Sequence, residues 1–142
     1  MVIEEVEYPS YRPSVTVKKS SAGLGLFAGE DIKRDQLIIE YTGDRINAEE
    51  ADQRGGRYLF TVNEDLVIDG KDRSNIARYI NHSCGPNAEA EHEITENRIY
   101  MRASKNIKAG EEITIDYGND YTSSDFIQAG GCKCAVCLAK NN

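Results

Sequence analysis

At 142 residues the chain can enclose one domain with a modest core, and 39% apolar with 29% charged residues exclude a disordered or fibrous polymer. A net charge of -7, from 17 Lys plus Arg against 24 Asp plus Glu, argues against recognition of nucleic acid through its phosphates. It favours a basic partner, although the same charge also serves plain solubility.

The start, Met1 to Glu7, is acidic and lacks a secretory pattern, and no stretch approaches the length of a membrane span. An intracellular protein without a membrane partner is expected, cytoplasmic or, in a eukaryote, nuclear. Tyr8 to Pro13 reads as an irregular lead-in, with the core starting near Ser14. Val15 and Val17 alternate with polar neighbours as in a half-buried strand that runs into the turn Ser20-Ser21-Ala22-Gly23. Gly23-Leu24-Gly25 and the later Glu40 imitate a dinucleotide-binding fingerprint. The polar run from Glu30 to Gln36 leaves no room for the crossover helix that parallel strands need, so these glycines are read as a tight backbone turn.

Residues 35–43 carry a β-branched apolar run and form a strand. Asn47 followed three positions later by Glu50 is a helix start, giving a short helix through about Arg54 that Gly55-Gly56 ends. Residues 57–62 and 66–69 flank Asn63-Glu64-Asp65 as a hairpin. Residues 98–104 and 111–118 are strands on either side of the turn Lys108-Ala109-Gly110. The sum is a mostly β protein with short strands and one or two helical turns.

Chemically versatile side chains concentrate in residues 78–88, Arg-Tyr-Ile-Asn-His-Ser-Cys-Gly-Pro-Asn-Ala. A local turn with Asn and Ser caps explains Asn81 and Pro86 but not the company of Arg78, His82 and Cys84. The other histidine, His92, lies among charged residues and reads as a surface position. Cys132, Cys134 and Cys137 form a C-x-C-x2-C cluster that is one ligand short of a closed tetrahedral zinc site. Cys84 is the one cysteine left to complete it. Disulfides are the competing reading, disfavoured by a reducing compartment and by the poor placement of Cys132 against Cys134. Four protein ligands leave no open position, so such a zinc would build a wall rather than hydrolyse a substrate. Tyr41 and Tyr117 each end a strand, where they either pack in the core or line a narrow apolar slot.

Gly23-Leu24-Gly25, Tyr41-x-Gly43, the run Arg78 to Asn87, Glu112-Ile-Thr-Ile-Asp116-Tyr117 and the cysteine cluster together resemble the SET-domain protein lysine methyltransferases with a post-SET zinc tail. The resemblance spans about Val15 to Leu138 and implies a fold of small β-sheets with a knot-like C-terminal crossing. It divides the chain into a lead-in (1–13), a catalytic core (14–121) and a zinc tail (122–142).

It further implies S-adenosylmethionine, with S-adenosylhomocysteine as product, on one face of the site. The target lysine of a basic protein or peptide, a histone or another Lys-rich protein, would enter from the other. Mapped residue by residue, Gly23, Leu24 and Gly25 would follow the methionine end of the cofactor. Arg78, Asn81 and His82 would hold its carboxylate, amino group and adenine surroundings, with Tyr58 beside them. Tyr117 would orient the amine or the sulfonium and Tyr41 would line the channel; Cys84, Cys132, Cys134 and Cys137 would bind Zn2+. The spacing Cys134-x2-Cys137 is tighter than is common in the family. Ile115 stands where relatives usually show Phe or Tyr, a choice associated with the number of methyls added, and its lack of a hydroxyl implies that more than one methyl is transferred. The rival reading is a catalytically silent zinc module of the same fold that serves as a protein-binding scaffold. A zinc-dependent nucleic-acid module is disfavoured, because Lys133 and Lys140 are the few basic residues at the cluster.

Overall fold

Short alternating segments punctuated by Gly, Asn and Asp fold into three small sheets. The computed structural model describes residues 11–21 and 23–117. The described strands are β1 (Val15–Ser20), β2 (Gly23–Ala28), β3 (Leu37–Tyr41), β4 (Asp44–Ile46), β5 (Leu59–Asn63), β6 (Leu66–Asp69), β7 (Asn81–His82), β8 (Ala88–Glu93), β9 (Arg98–Ala103) and β10 (Glu112–Ile115). They are joined by one short helix, α1 (Ala48–Arg54), and a 3-10 turn over Ile76–Tyr79.

Three local expectations hold. Asn47 caps α1, its side chain accepting from the Glu50 N–H at 2.8 Å, and Gly55 closes the other end. β5 and β6 form the expected antiparallel hairpin, whose turn Asn63 stabilises by accepting from the Asp65 N–H at 2.8 Å. The residues expected to be strands from 35 to 43 form β3, paired antiparallel with β9.

The glycine stretch differs from its sequence reading. Gly23 ends the turn, at a φ of 102°, but Leu24 and Gly25 already belong to β2, which pairs along its whole length with β1. The run Leu26-Phe27-Ala28 explains why. Leu26, fully buried, and Ala28 enter the core, and their burial extends the strand back through the glycine.

The strands after residue 97 do not pair with each other. β9 lies between β3 and β8, whereas β10 lies between β2, to which it is antiparallel, and β7, to which it is parallel. A parallel neighbour requires a long excursion between the two strands, and β8 and β9 are that excursion. Ile113 and Ile115 of β10 enter a shared core with Leu26, Ile38, Ile80, Ile99 and Met101. The register places Thr114 opposite Asn81 and Ile115 opposite His82. This one pairing carries the residues after Ile115 to the segment that the sequence singled out.

Candidate functional site

Asn87 helps to hold β10 in place. Its side-chain amide donates to the Glu112 carbonyl at 2.8 Å and accepts from the Thr114 N–H at 2.9 Å, so it substitutes for a strand partner. Further along, the Ser83 N–H donates to the Ile115 carbonyl at 2.9 Å. The Tyr117 N–H donates to His82 Nδ1 at 3.0 Å, and the Tyr117 hydroxyl donates to the Ile80 carbonyl. Both ends of Tyr117 are therefore fastened to residues 80–82.

These contacts form one wall of a cleft of about 1000 Å3. Of the residues expected at a site, Gly23, Leu24, Tyr41, Tyr58, Arg78, Asn81 and Tyr117 all line it. The Tyr41 hydroxyl donates to the Tyr58 carbonyl at 2.7 Å, and its ring tilts against Phe60 with centroids 5.4 Å apart. The Arg78 guanidinium lies 4.3 Å from the centre of the Tyr58 ring and 5.2 Å from that of Tyr79. Arg78 Nε is buried without a hydrogen-bond acceptor among the described residues. A buried donor of this kind calls for an acceptor that the described residues do not supply.

Two of the expected residues stand behind this wall. Gly25 faces Glu112 and Asn81. His82 is buried, its ring packed against that of Tyr117 at 5.3 Å. Burial holds the His82 imidazole below its ordinary pKa, partly opposed by the Asp116 carboxylate 3.7 Å from Nδ1. Since Nδ1 accepts from Tyr117, the ring proton sits on Nε2, which points at Cys84 Sγ, 3.4 Å away. Cys84 itself is exposed. Cys132, Cys134 and Cys137 lie outside the described residues, as does the chain that would complete a C-terminal crossing. His92 is exposed, as expected, and its Nε2 meets Asn97 Oδ1 at 2.8 Å.

Sequence reading missed Phe60, Tyr79, Ala90, Met101 and the arginines Arg57 and Arg73, all of which line the cleft. It also gave Glu112 no role of its own. The alternation of Glu112, Thr114 and Asp116 against Ile113 and Ile115 marks a polar face, and that was the available signal.

S-adenosylmethionine fits this cleft on three counts. The volume lies at the upper end of small-molecule sites, about 300 to 1000 Å3. Arg78 supplies a donor left unsatisfied among the described residues and suited to a carboxylate, and Asn81 supplies an amide for polar groups. The apolar end is walled by Tyr41, Phe60, Met101 and Ile115.

Comparison with known proteins gives a consistent picture. The family profile described as SET domain matches residues 23–118. A Schizosaccharomyces pombe protein named histone-lysine N-methyltransferase, H3 lysine-4 specific, is 42% identical over 66% of this chain. Human histone-lysine N-methyltransferase 2D is 41% identical over 70% of it. The chain spans 11% of the first relative and 2% of the second. A crystal structure of the Chaetomium thermophilum polycomb repressive complex 2 superposes with a TM-score of 0.70 at 35% identity, over 78% of this chain and 16% of that one.

Proposed function

This chain belongs to the SET domain family, and on that premise we propose that it methylates the ε-amine of lysine in a basic protein, using S-adenosylmethionine. The relatives named for histone substrates make a histone the first candidate, with other Lys-rich proteins behind it. The acidic net charge of -7 suits such a partner. No described helix is long and apolar enough to cross a membrane. An intracellular site, nuclear in a eukaryote, fits a histone substrate.

The observation that carries this reading is the convergence of Gly23, Leu24, Arg78, Asn81, Tyr41 and Tyr117 on one cleft from four separate parts of the chain. When bound, the cofactor supplies an electrophilic methyl group on a sulfonium. Arg78 would take its carboxylate through the buried Nε, with the Tyr58 ring supporting the guanidinium from one face. Asn81 and the backbone of Gly23 and Leu24 would hold the rest of its amino-acid end.

The lysine amine must arrive neutral and in line. The apolar side chains of Tyr41, Phe60, Met101 and Ile115 in the cleft would keep water from the amine and lower its affinity for a proton. Donation to Ile80 commits the Tyr117 proton, so its oxygen acts as an acceptor that orients an amine N–H. Tyr41, tethered to the Tyr58 carbonyl, presents its ring as a wall.

Cys84, Cys132, Cys134 and Cys137 are proposed to bind one structural Zn2+. Thiolate is the donor that zinc prefers in closed sites, and Cys84 is exposed. Among the described residues there is no group of three or more metal-ligating side chains, and Cys132, Cys134 and Cys137 lie outside them. Elemental analysis of the purified protein should find one zinc per chain, lost in Cys84→Ser; a metal-free, fully active protein overturns the assignment.

The deciding experiment for the activity is incubation with methyl-labelled S-adenosylmethionine and purified histones, followed by identification of the modified residue. Label on a lysine supports the proposal. Calorimetry without detectable cofactor binding would leave the fold as a silent scaffold.

A further inference from the structure

Behind Asn81 stands a carboxylate to which none of the roles above assigns a purpose. Glu112, at the start of β10, places Oε2 2.8 Å from Asn81 Nδ2. The same nitrogen lies 2.9 Å from the Leu24 carbonyl and 3.1 Å from Ser20 Oγ. An amide nitrogen offers two N–H donors and no acceptor, so three surrounding oxygens decide which end of the side chain is nitrogen. The carbonyl end, Oδ1, is thereby turned away from them on a residue that lines the cleft.

Gly25 makes room for this arrangement. A Cβ there would stand 2.4 Å from Glu112 Oε2 and 3.1 Å from Asn81 Nδ2. The second glycine of Gly23-Leu24-Gly25 thus admits a carboxylate from the neighbouring strand.

We infer that Glu112 is a positioning residue that locks Asn81 with its carbonyl oxygen presented to the ammonium group of the cofactor's amino-acid end. The inference rests on the cofactor reading above. A carboxylate accepting from the amide N–H enriches the carbonyl oxygen, and an acceptor with a negative charge behind it selects a cationic donor over the neutral amino group of an adenine. Glu112 acts through Asn81, while Gly25 acts by leaving the Glu112 carboxylate its place.

The test is calorimetric titration of the full chain with S-adenosylhomocysteine and with its desamino analogue, which differs only in lacking the ammonium. The wild type should bind the amine-bearing ligand about tenfold more tightly, the size of one charge-assisted hydrogen bond. In Glu112→Gln that preference should shrink to about threefold or less, with affinity for the desamino analogue unchanged. Gly25→Ala, which displaces the carboxylate without removing it, should do the same, and the double variant should be no worse than either single one. A merely structural role would weaken both ligands alike. An undiminished preference in a folded Glu112→Gln, or additive losses in the double variant, overturns the inference. If the wild type binds both ligands equally, the ammonium contact itself is wrong; if it binds neither, the cofactor reading fails first.

Discussion

The backbone N–H of Tyr117 donates to Nδ1 of His82 at 3.0 Å, which ties the end of β10 to the segment carrying Asn81. Replacing His82 by Ala leaves that half-buried N–H without its acceptor and removes a packed ring. The expected loss is about 1–3 kcal/mol of stability in urea unfolding. Tyr117→Phe keeps the N–H bond and loses only the hydroxyl contact with Ile80. It should unfold within about 1 kcal/mol of the wild type while lysine methylation falls at least about tenfold. Wild-type turnover by Tyr117→Phe would show that the phenol takes no part.

Gly70 seats the ring of Tyr41. A Cβ at Gly70 would come within 2.5 Å of Tyr41 Cε1 and 2.6 Å of Cζ, both parts of a rigid ring. Gly70→Ala must push the ring out of place and break the hydroxyl bond to the Tyr58 carbonyl. The expected cost is about 1–3 kcal/mol, with a fall in kcat larger than any change in the cofactor's KM. Methyl transfer kinetics alongside a thermal melt would separate the two effects.

Asn87 stands in for a strand beside β10 through two hydrogen bonds, to the Glu112 carbonyl and from the Thr114 N–H. Asn87→Ala should lose about 1–3 kcal/mol, and hydrogen exchange should quicken at Thr114 before it does at the β8–β9 ladder. Equal protection at both places would mean that the side chain does not hold the strand.

Ile115 is buried and lines the cleft two residues before Tyr117. An aliphatic side chain there has no hydroxyl to hold a water beside the amine, so intact-mass analysis should show products carrying more than one methyl. Ile115→Tyr should shift the product toward a single methyl. Mono-methylated product alone from the wild type, even after long incubation, contradicts this.

Elements whose cause is local were legible. The Asn47 cap with Glu50 three residues on gave α1, and Asn63-Glu64-Asp65 between two apolar runs gave the β5–β6 hairpin. The β-branched run around Ile38 and Ile39 gave β3. Leu24 and Gly25 were misread as turn because glycines signal backbone freedom locally, whereas burial of Leu26 drew them into a strand. His82 was expected among the cofactor's neighbours through the family resemblance, and the structure shows where its side chain lies. In a strand, adjacent residues face opposite ways, and His82 went behind the wall.

Alternation, turn chemistry and residue type depend on near neighbours, and they were enough for a mostly β chain, the dense segment from 78 to 88 and Tyr41 at the end of β3; Tyr117, expected to end a strand, lies two residues past β10, which stops at Ile115. Alternation also put Glu112 and Thr114 on one face of β10, with Asp116 just past its end. That this strand lies parallel to Asn81–His82 and antiparallel to β2, bringing Glu112 against Asn81 and Gly25, follows from long-range packing. Pairing between segments so distant in number is set by which register buries Ile113 and Ile115 in the common core, and no window of the sequence contains that information.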